Sequence, residues 1–185
     1  MNWRLLIATV GLLSFNAAGL VPIPAQAVTL TNGKTYFVQP PRLDNAVATQ
    51  KTARFFGSTY YFTLTLPANA GEPLQTIVIA PQEAPDRVRF NLKETTASEG
   101  TFDQEGTKLP LQTVTQDPKT QAITISFDPA IAAGKTVTIG LAADQNPDTG
   151  GIYLYGVTAF PSGEQPAGQF LGYGRIQITD GGLDS

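Results

Sequence analysis

The sequence contains no histidine and no cysteine, and these two absences exclude a large part of enzyme chemistry. Without histidine, Ser-His-Asp and Cys-His arrangements cannot form, and no side chain has an unperturbed pKa near neutrality. Without cysteine, thiol catalysis, iron–sulfur clusters and blue copper are excluded, and the usual zinc ligands are missing. No Gly-rich phosphate-binding motif follows a strand and opens a helix. We therefore expect no catalytic residues of these classes.

Positive charge is also scarce in this sequence. Lys and Arg together number 12 against 15 Asp and Glu, which gives a formal net charge of −3. The longest basic feature is Arg87 with Arg89, which on a strand would point to one solvated side. Nucleic acids and anionic membranes need a cluster of basic side chains, and none is present. We therefore expect no nucleic-acid partner.

The N-terminal segment has the order of a secretory signal. Arg4 precedes an uncharged apolar run over residues 5–15, and Ala25-Gln26-Ala27 has the A-x-A form of a cleavage site. The alternative is an uncleaved membrane anchor, but Asn16 and two prolines stop the run short of the roughly 20 residues that a spanning helix needs. We predict that residues 1–27 are a signal peptide and that the rest is exported without a membrane span, to the periplasm, outer surface or medium.

Alternation of apolar and polar residues dominates the rest of the chain. Apolar side chains occupy every second position in five segments, which lie at residues 60–66, 88–92, 123–127, 137–141 and 176–178. This period buries one face of a strand and leaves the other solvated, as antiparallel sheets allow. We predict one all-β domain over residues 28–180, an antiparallel β-sandwich (Ig-like or jelly-roll-like) of about seven to nine strands. Residues 181–185 are predicted to be a flexible tail.

Helical periodicity is nearly absent. Leu43 to Ala53 is the best candidate, because Leu43 and Val47 could share one face of a helix. We expect at most one short helix there, of one or two turns.

Carboxylates are the remaining catalytic option, because a glycosidase needs only two of them about 5–10 Å apart. Asp103 and Glu105 could face one side of a strand. Further candidates are mostly next to Gly, Pro or Thr in expected loops: Glu72, Glu83, Glu94, Glu99 and Glu164. Solvated loop charges are the interpretation that we prefer, and no catalytic residue is predicted.

One segment has some features of a calcium loop. Asp144, Asn146 and Asp148 place oxygen ligands at alternate positions. The segment departs from an EF-hand loop, because glycine falls at its seventh place and Tyr155 occupies the twelfth. A polar turn between two strands is the alternative, since Asn-Pro and Gly-Gly are turn signals. No cofactor is predicted, with calcium at this loop as the one possibility left open.

Four residues near the C-terminus are candidates for binding. Tyr153 and Tyr155 share one strand face, and an exposed row of rings could bind a sugar or a protein. The interpretation that we prefer is that this face lies inside the sandwich or pairs across strands, since β-strands favour aromatic residues anyway. Glycines on both sides of Tyr173 indicate a bulge or a close backbone approach. Arg175 could bind a carboxylate bidentately, or it could brace a loop against a nearby Asp, which is the interpretation that we prefer.

The chain resembles a known family in short segments that run through most of the mature part. These are residues 60–64, 67–74, 127–129, 146–147, 151–153, 160–163 and 171–175, and the last of them reads Leu-Gly-Tyr-Gly-Arg. The family is the group of exported cyanobacterial proteins called domain of unknown function 2808. The resemblance implies a cyanobacterial, exported protein. It implies no activity, and no functional residue is carried over from it.

Together these observations favour a non-catalytic module of the cell envelope or extracellular space that binds a protein or glycan partner. A hydrolase that uses carboxylates on glycans and a calcium-stabilised structural module are the two alternatives. Fold class does not decide among them, because sandwiches host many functions.

Overall fold

The computed structural model describes residues 28–29, 33–84 and 86–181. The predicted signal peptide, residues 1–27, and residues 182–185 of the predicted tail lie outside the described residues. The described part contains 13 β-strands and a single 3₁₀ turn, so the all-β prediction is confirmed. The number of strands exceeds the predicted seven to nine, mainly because three strands are only two residues long.

The strands form two antiparallel sheets that pack face to face, with a separate two-stranded ribbon. The ribbon pairs β1 (Val28–Thr29) with β2 (Thr35–Tyr36). The first main sheet has the order β13-β12-β5-β10-β9, and the second has β3-β4-β11-β7-β8, with β6 also paired to β11. The strand bounds are β3 Arg42–Ala48, β4 Phe56–Thr65, β5 Leu74–Pro81, β6 Arg89–Phe90, β7 Thr96–Thr101, β8 Gln104–Lys108, β9 Leu111–Gln116, β10 Ile123–Ile131, β11 Thr136–Gln145, β12 Gly151–Pro161 and β13 Gln169–Ile178.

The alternating segments supply the core between the sheets. In the second sheet, Phe62 of β4 lies opposite Ile139 of β11, and both side chains are fully buried. In the first sheet, Ile79 of β5 lies opposite Ile123 of β10, and these are buried as well. Directly opposite apolar side chains on one face pack against each other, which is why the period-2 pattern specifies the register.

The helix predicted at Leu43 to Ala53 is wrong, because most of this segment is strand β3. Pairing of β3 with β4 shifts register between Leu43 and Asn45, so the strand contains one extra residue at a bulge. The bulge interrupts the alternation, because Leu43 lies opposite the inward Leu64 whereas Val47 lies opposite the outward Tyr61. The strand pattern over residues 87–93 is likewise shorter than expected, since only Arg89 and Phe90 pair with β11 and Leu92–Glu94 is a 3₁₀ turn.

Strands β13 and β3 lie at corresponding edges of the two sheets, and Gly174 allows them to approach. A Cβ atom at residue 174 would lie 2.8 Å from Ala46 Cβ in β3 and 2.8 Å from Phe62 Cε1 in β4. The close backbone approach predicted from the glycines around Tyr173 is therefore confirmed at Gly174.

We predict that Gly174→Ala destabilises the domain by about 1–3 kcal/mol, because the added methyl overpacks the closed edge. Gly151→Ala is the matched control in the neighbouring strand, where the nearest atom to the new Cβ is 3.8 Å away. Urea unfolding of the purified proteins measures both. Equal stability of the two variants would contradict the close approach.

Candidate functional site

Tyr153 and Tyr155 do not form an exposed row. Both point into the sandwich from β12, with exposed fractions of 5% and 3%. The ring of Tyr155 crosses to the opposite sheet, where its centroid lies 6.0 Å from Tyr60, 5.6 Å from Phe62 and 6.2 Å from Phe90, each in an edge-on arrangement. Edge-on packing suits the ring quadrupoles and adds to the free energy of burial. These two tyrosines belong to the core.

Asn146 occupies a buried position with three side-chain hydrogen bonds. Its Oδ1 accepts from the Tyr60 hydroxyl at 3.0 Å, and its Nδ2 donates to the Gln50 carbonyl at 2.9 Å and to the Thr52 carbonyl at 2.8 Å. These bonds connect the segment between β11 and β12 to the segment between β3 and β4. The residue therefore holds two loops in place.

The other two calcium candidates lie at the surface. Asp144 and Asp148 are exposed, and Asp148 Oδ1 lies 3.6 Å from Arg54 Nε. Within residues 28–29, 33–84 and 86–181, no three acidic, His or Cys side chains form a group that could hold a metal ion. Calcium at this loop stays the one possibility that the sequence left open. A melting temperature that rises with millimolar calcium over EDTA, and no longer rises in Asp148→Ala, would support it.

Most of the carboxylate candidates lie at the surface. Asp103 and Glu105 are exposed at the β7–β8 turn, and Asp103 Oδ1 accepts a hydrogen bond from Thr101 Oγ1 at 2.6 Å. Glu72 is the single carboxylate that is buried in the described part of the chain, and burial raises its pKa. A glycosidase needs two such groups facing one another across a cleft.

Tyr173 and Arg175, by contrast, lie together on the outer surface of the first sheet. Tyr173 is 53% exposed and contacts the ring of Phe170, which is 58% exposed, with centroids 5.1 Å apart and an interplanar angle of 70°. Gly156 lies opposite Tyr173, and a Cβ there would come within 3.3 Å of Phe170 and 3.5 Å of Tyr173. Because Gly156 has no side chain, the rings of Phe170 and Tyr173 can lie over β12 at this position.

A β-bulge brings these two rings to one face. Residues three apart on a regular strand point to opposite faces. Here Gly172 pairs with Val157 and Phe170 with Thr158, so Leu171 is the extra residue. Gly172 has φ +121°, which favours glycine. The bulge predicted from the glycines is confirmed.

We call the outward surface around these rings the aromatic face and define it by Ile152, Leu154, Phe170, Tyr173 and Arg175. Ile152 is 53% exposed, and Leu154 lies opposite Arg175 in the register of β12 and β13. Arg175 is exposed and makes no hydrogen bond or ion pair with the described residues. The bracing interaction that we preferred for it is therefore not present, and its guanidinium is available to a ligand.

Sequence reasoning found two members of this face and missed three. Phe170 was missed because, without the bulge at Leu171, a residue three positions before Tyr173 would point to the opposite face. Ile152 and Leu154 alternate with Tyr153 and Tyr155, so they face outward once those two tyrosines face inward. The signal that could have found Phe170 is the pair of glycines around Tyr173, since a bulge there resets the alternation.

The fold and this surface define an antiparallel β-sandwich domain with an exposed apolar patch. The chain belongs to the family described as a protein of unknown function, DUF2808, whose profile matches residues 34–178. A search of curated proteins found no match. No helix in the described part of the chain has the length and apolarity that crossing a membrane would require.

Several solved structures are similar to the sandwich at low identity. The collagen-binding domain of a Staphylococcus aureus adhesin is 8% identical, with a TM-score of 0.37, over 66% of this chain and 87% of that one. A C-terminal fragment of the major pilin of Streptococcus agalactiae is 12% identical, with a TM-score of 0.48, over 75% and 56%. The major pilin subunit of Bacillus cereus is 8% identical, with a TM-score of 0.49, over 76% and 41%. The chain thus spans about half or less of these pilins, and likenesses of this degree do not show what it binds.

We predict that Asn146→Ala lowers the free energy of unfolding by about 3 kcal/mol, because it removes three hydrogen bonds and leaves the buried Tyr60 hydroxyl without its partner. Tyr60→Phe is the matched variant, which removes one of the three bonds and should cost about 1 kcal/mol. Chemical denaturation of both variants measures the two losses of unfolding free energy, and we expect the loss for Asn146→Ala to be about three times the loss for Tyr60→Phe. An Asn146→Ala protein as stable as the wild type would show that the loops do not depend on this side chain.

Proposed function

We propose that this protein is a non-catalytic binding module that recognises a protein partner through the aromatic face. The observation that carries the proposal is the exposed Phe170–Tyr173 pair with the unpaired Arg175 beside it. Aromatic residues and arginine are the side chains that most often dominate binding energy at interfaces. Isolated exposed apolar residues are common, but a contiguous patch with a polar rim is characteristic of an interaction site.

A protein partner fits this face better than a glycan does. Sugar rings stack on flat aromatic surfaces, whereas the planes of Phe170 and Tyr173 meet at 70°. The neighbouring Ile152 is apolar and offers no hydrogen bond to sugar hydroxyls. Arg175 would pair with a carboxylate of the partner, which gives orientation as well as affinity.

We place this activity outside the cytoplasm, in the cell envelope or the extracellular space. The N-terminal order of Arg4, an apolar run and Ala25-Gln26-Ala27 supports export. The absence of cysteine is compatible with that location, since a domain of this length can bury an adequate core without disulfides.

A comparative capture experiment tests the proposal. Wild-type protein, Phe170→Ala/Tyr173→Ala and the control Phe56→Ala are immobilised and exposed to an envelope extract, and retained proteins are identified by mass spectrometry. Phe56 is 72% exposed on β4 of the other sheet, so its loss removes an exposed ring without altering the aromatic face. We expect the wild type and the control to retain one common protein that the double variant loses.

The affinity of that protein is then measured with each purified variant. Truncation of one side chain that dominates the binding energy of an interface weakens binding by about 30-fold, so we expect at least this loss when Phe170 and Tyr173 are replaced. Arg175→Glu should weaken it as well and reverse the dependence on salt, because a repulsive charge replaces an attractive one. Equal retention by the double variant would overturn the proposal. So would retention that a glycosidase removes and a protease does not, since the ligand would then be a glycan.

A further inference from the structure

A pocket of about 370 Å³ opens between the two sheets at one end of the sandwich. Its innermost lining includes Ile79, Ile123 and Tyr155, each no more than 3% exposed, and half-buried Val88 and Phe90 line it nearer the surface. The aromatic face lies on the outer surface of the first sheet, whereas these side chains lie between the sheets. The pocket is therefore a second feature of the domain, and Leu154 is the one residue of the aromatic face that also lines it. Its volume is at the small end of the range for ligand sites, about 300–1,000 Å³.

The hydroxyl of Tyr155 distinguishes this pocket from a simple packing defect. Tyr60 and Tyr153, the other core tyrosines, donate their hydroxyl protons to Asn146 Oδ1 at 3.0 Å and to the Thr149 carbonyl at 2.7 Å. The hydroxyl of Tyr155 makes no hydrogen bond with any described residue, and it is not among the enclosed polar atoms that lack a partner, so it is open to the pocket that this residue lines. A molecule in the pocket can therefore supply the hydrogen-bond partner that the protein does not, because a phenol hydroxyl both donates and accepts.

The charges around the pocket indicate which ligands it favours. Arg87 and Lys119 at the mouth are offset by Glu83 and Asp86, so no net charge attracts an ion. The two oxygens of Asp86 already accept the backbone N–H groups of Arg87 and Asp148. Burial raises the pKa of Tyr155 above its ordinary value, which keeps the hydroxyl neutral. The inner part of the pocket thus offers an uncharged hydrogen-bonding group among apolar side chains.

We propose that this pocket binds a small uncharged molecule with a flat apolar ring system and one hydroxyl or carbonyl group, whose oxygen hydrogen-bonds with the Tyr155 hydroxyl. The ring body would occupy the space between Ile79, Ile123 and Phe90. A charged ligand is disfavoured, because a carboxylate beside Tyr155 would be desolvated among apolar side chains, whereas Arg87 and Lys119 lie at the mouth beside Glu83 and Asp86.

Three matched probes test the proposal with the whole purified protein. The first is 2-naphthol, which has the ring and the hydroxyl; naphthalene lacks the oxygen, and 2-naphthoate carries a charge. Binding is followed at neutral pH by ligand-observed NMR, and melting curves confirm that each variant is folded. We expect 2-naphthol to bind at one site, naphthalene to compete with it, and 2-naphthoate to bind more weakly than either.

Two variants locate the site. Tyr155→Phe keeps the aromatic ring and should weaken 2-naphthol by about fivefold while leaving naphthalene unchanged, because one neutral hydrogen bond is lost. Val88→Phe should abolish binding of both by filling the pocket, and Tyr173→Ala on the aromatic face should change neither.

The proposal is overturned if wild-type protein binds no 2-naphthol, if Tyr155→Phe binds it as tightly as the wild type, or if 2-naphthoate binds more tightly. Failure here would leave the partner-binding function of the aromatic face untouched, because that proposal rests on Phe170, Tyr173 and Arg175 and is tested by capture of a protein.

Discussion

The contact of Tyr155 with the aromatic side chains of the opposite sheet is the interaction on which the rest of this structure depends. Its ring meets Tyr60 and Phe62 of β4 and Phe90 of β6 across the core. Because Tyr155 points inward, the next residues of β12 on either side must point outward. The same contact thus joins the two sheets and determines which side chains of β12 reach the surface.

The position of Tyr155 affects two other parts of the domain, the loops held by Asn146 and the edge strand β13. Tyr60 is positioned so that its hydroxyl reaches Asn146, which holds the two loops at that end of the sandwich. On the other side, Tyr155 lies opposite Gly174 in β13, and the small residue there lets β13 approach β3. Because β12 and β13 are paired neighbours in the first sheet, their outward residues form one continuous surface.

The sequence predicted the class of the fold because burial on one face imposes a period that is visible residue by residue. Regular strands such as β4 and β11 were therefore found, and β3 was missed because its bulge breaks the period. At the candidate site, the glycines around Tyr173 indicated the bulge and the close approach correctly. The strand preference of aromatic residues favoured the inward direction of Tyr155, as the structure has it. The pairing of Phe170 with Tyr173 could not be predicted, since it depends on a bulge in the register between β12 and β13.

Nitration of tyrosine, mapped by mass spectrometry of peptides, tests the central claim most directly. The reagent modifies rings that solvent reaches, and Tyr173 is 53% exposed whereas Tyr60 and Tyr155 are at most 3% exposed. The account predicts rapid modification of Tyr173 in the native protein and protection of Tyr60 and Tyr155 until denaturant is added. Modification of native Tyr155 at the rate of Tyr173 would contradict it, because the ring would then not lie between the sheets.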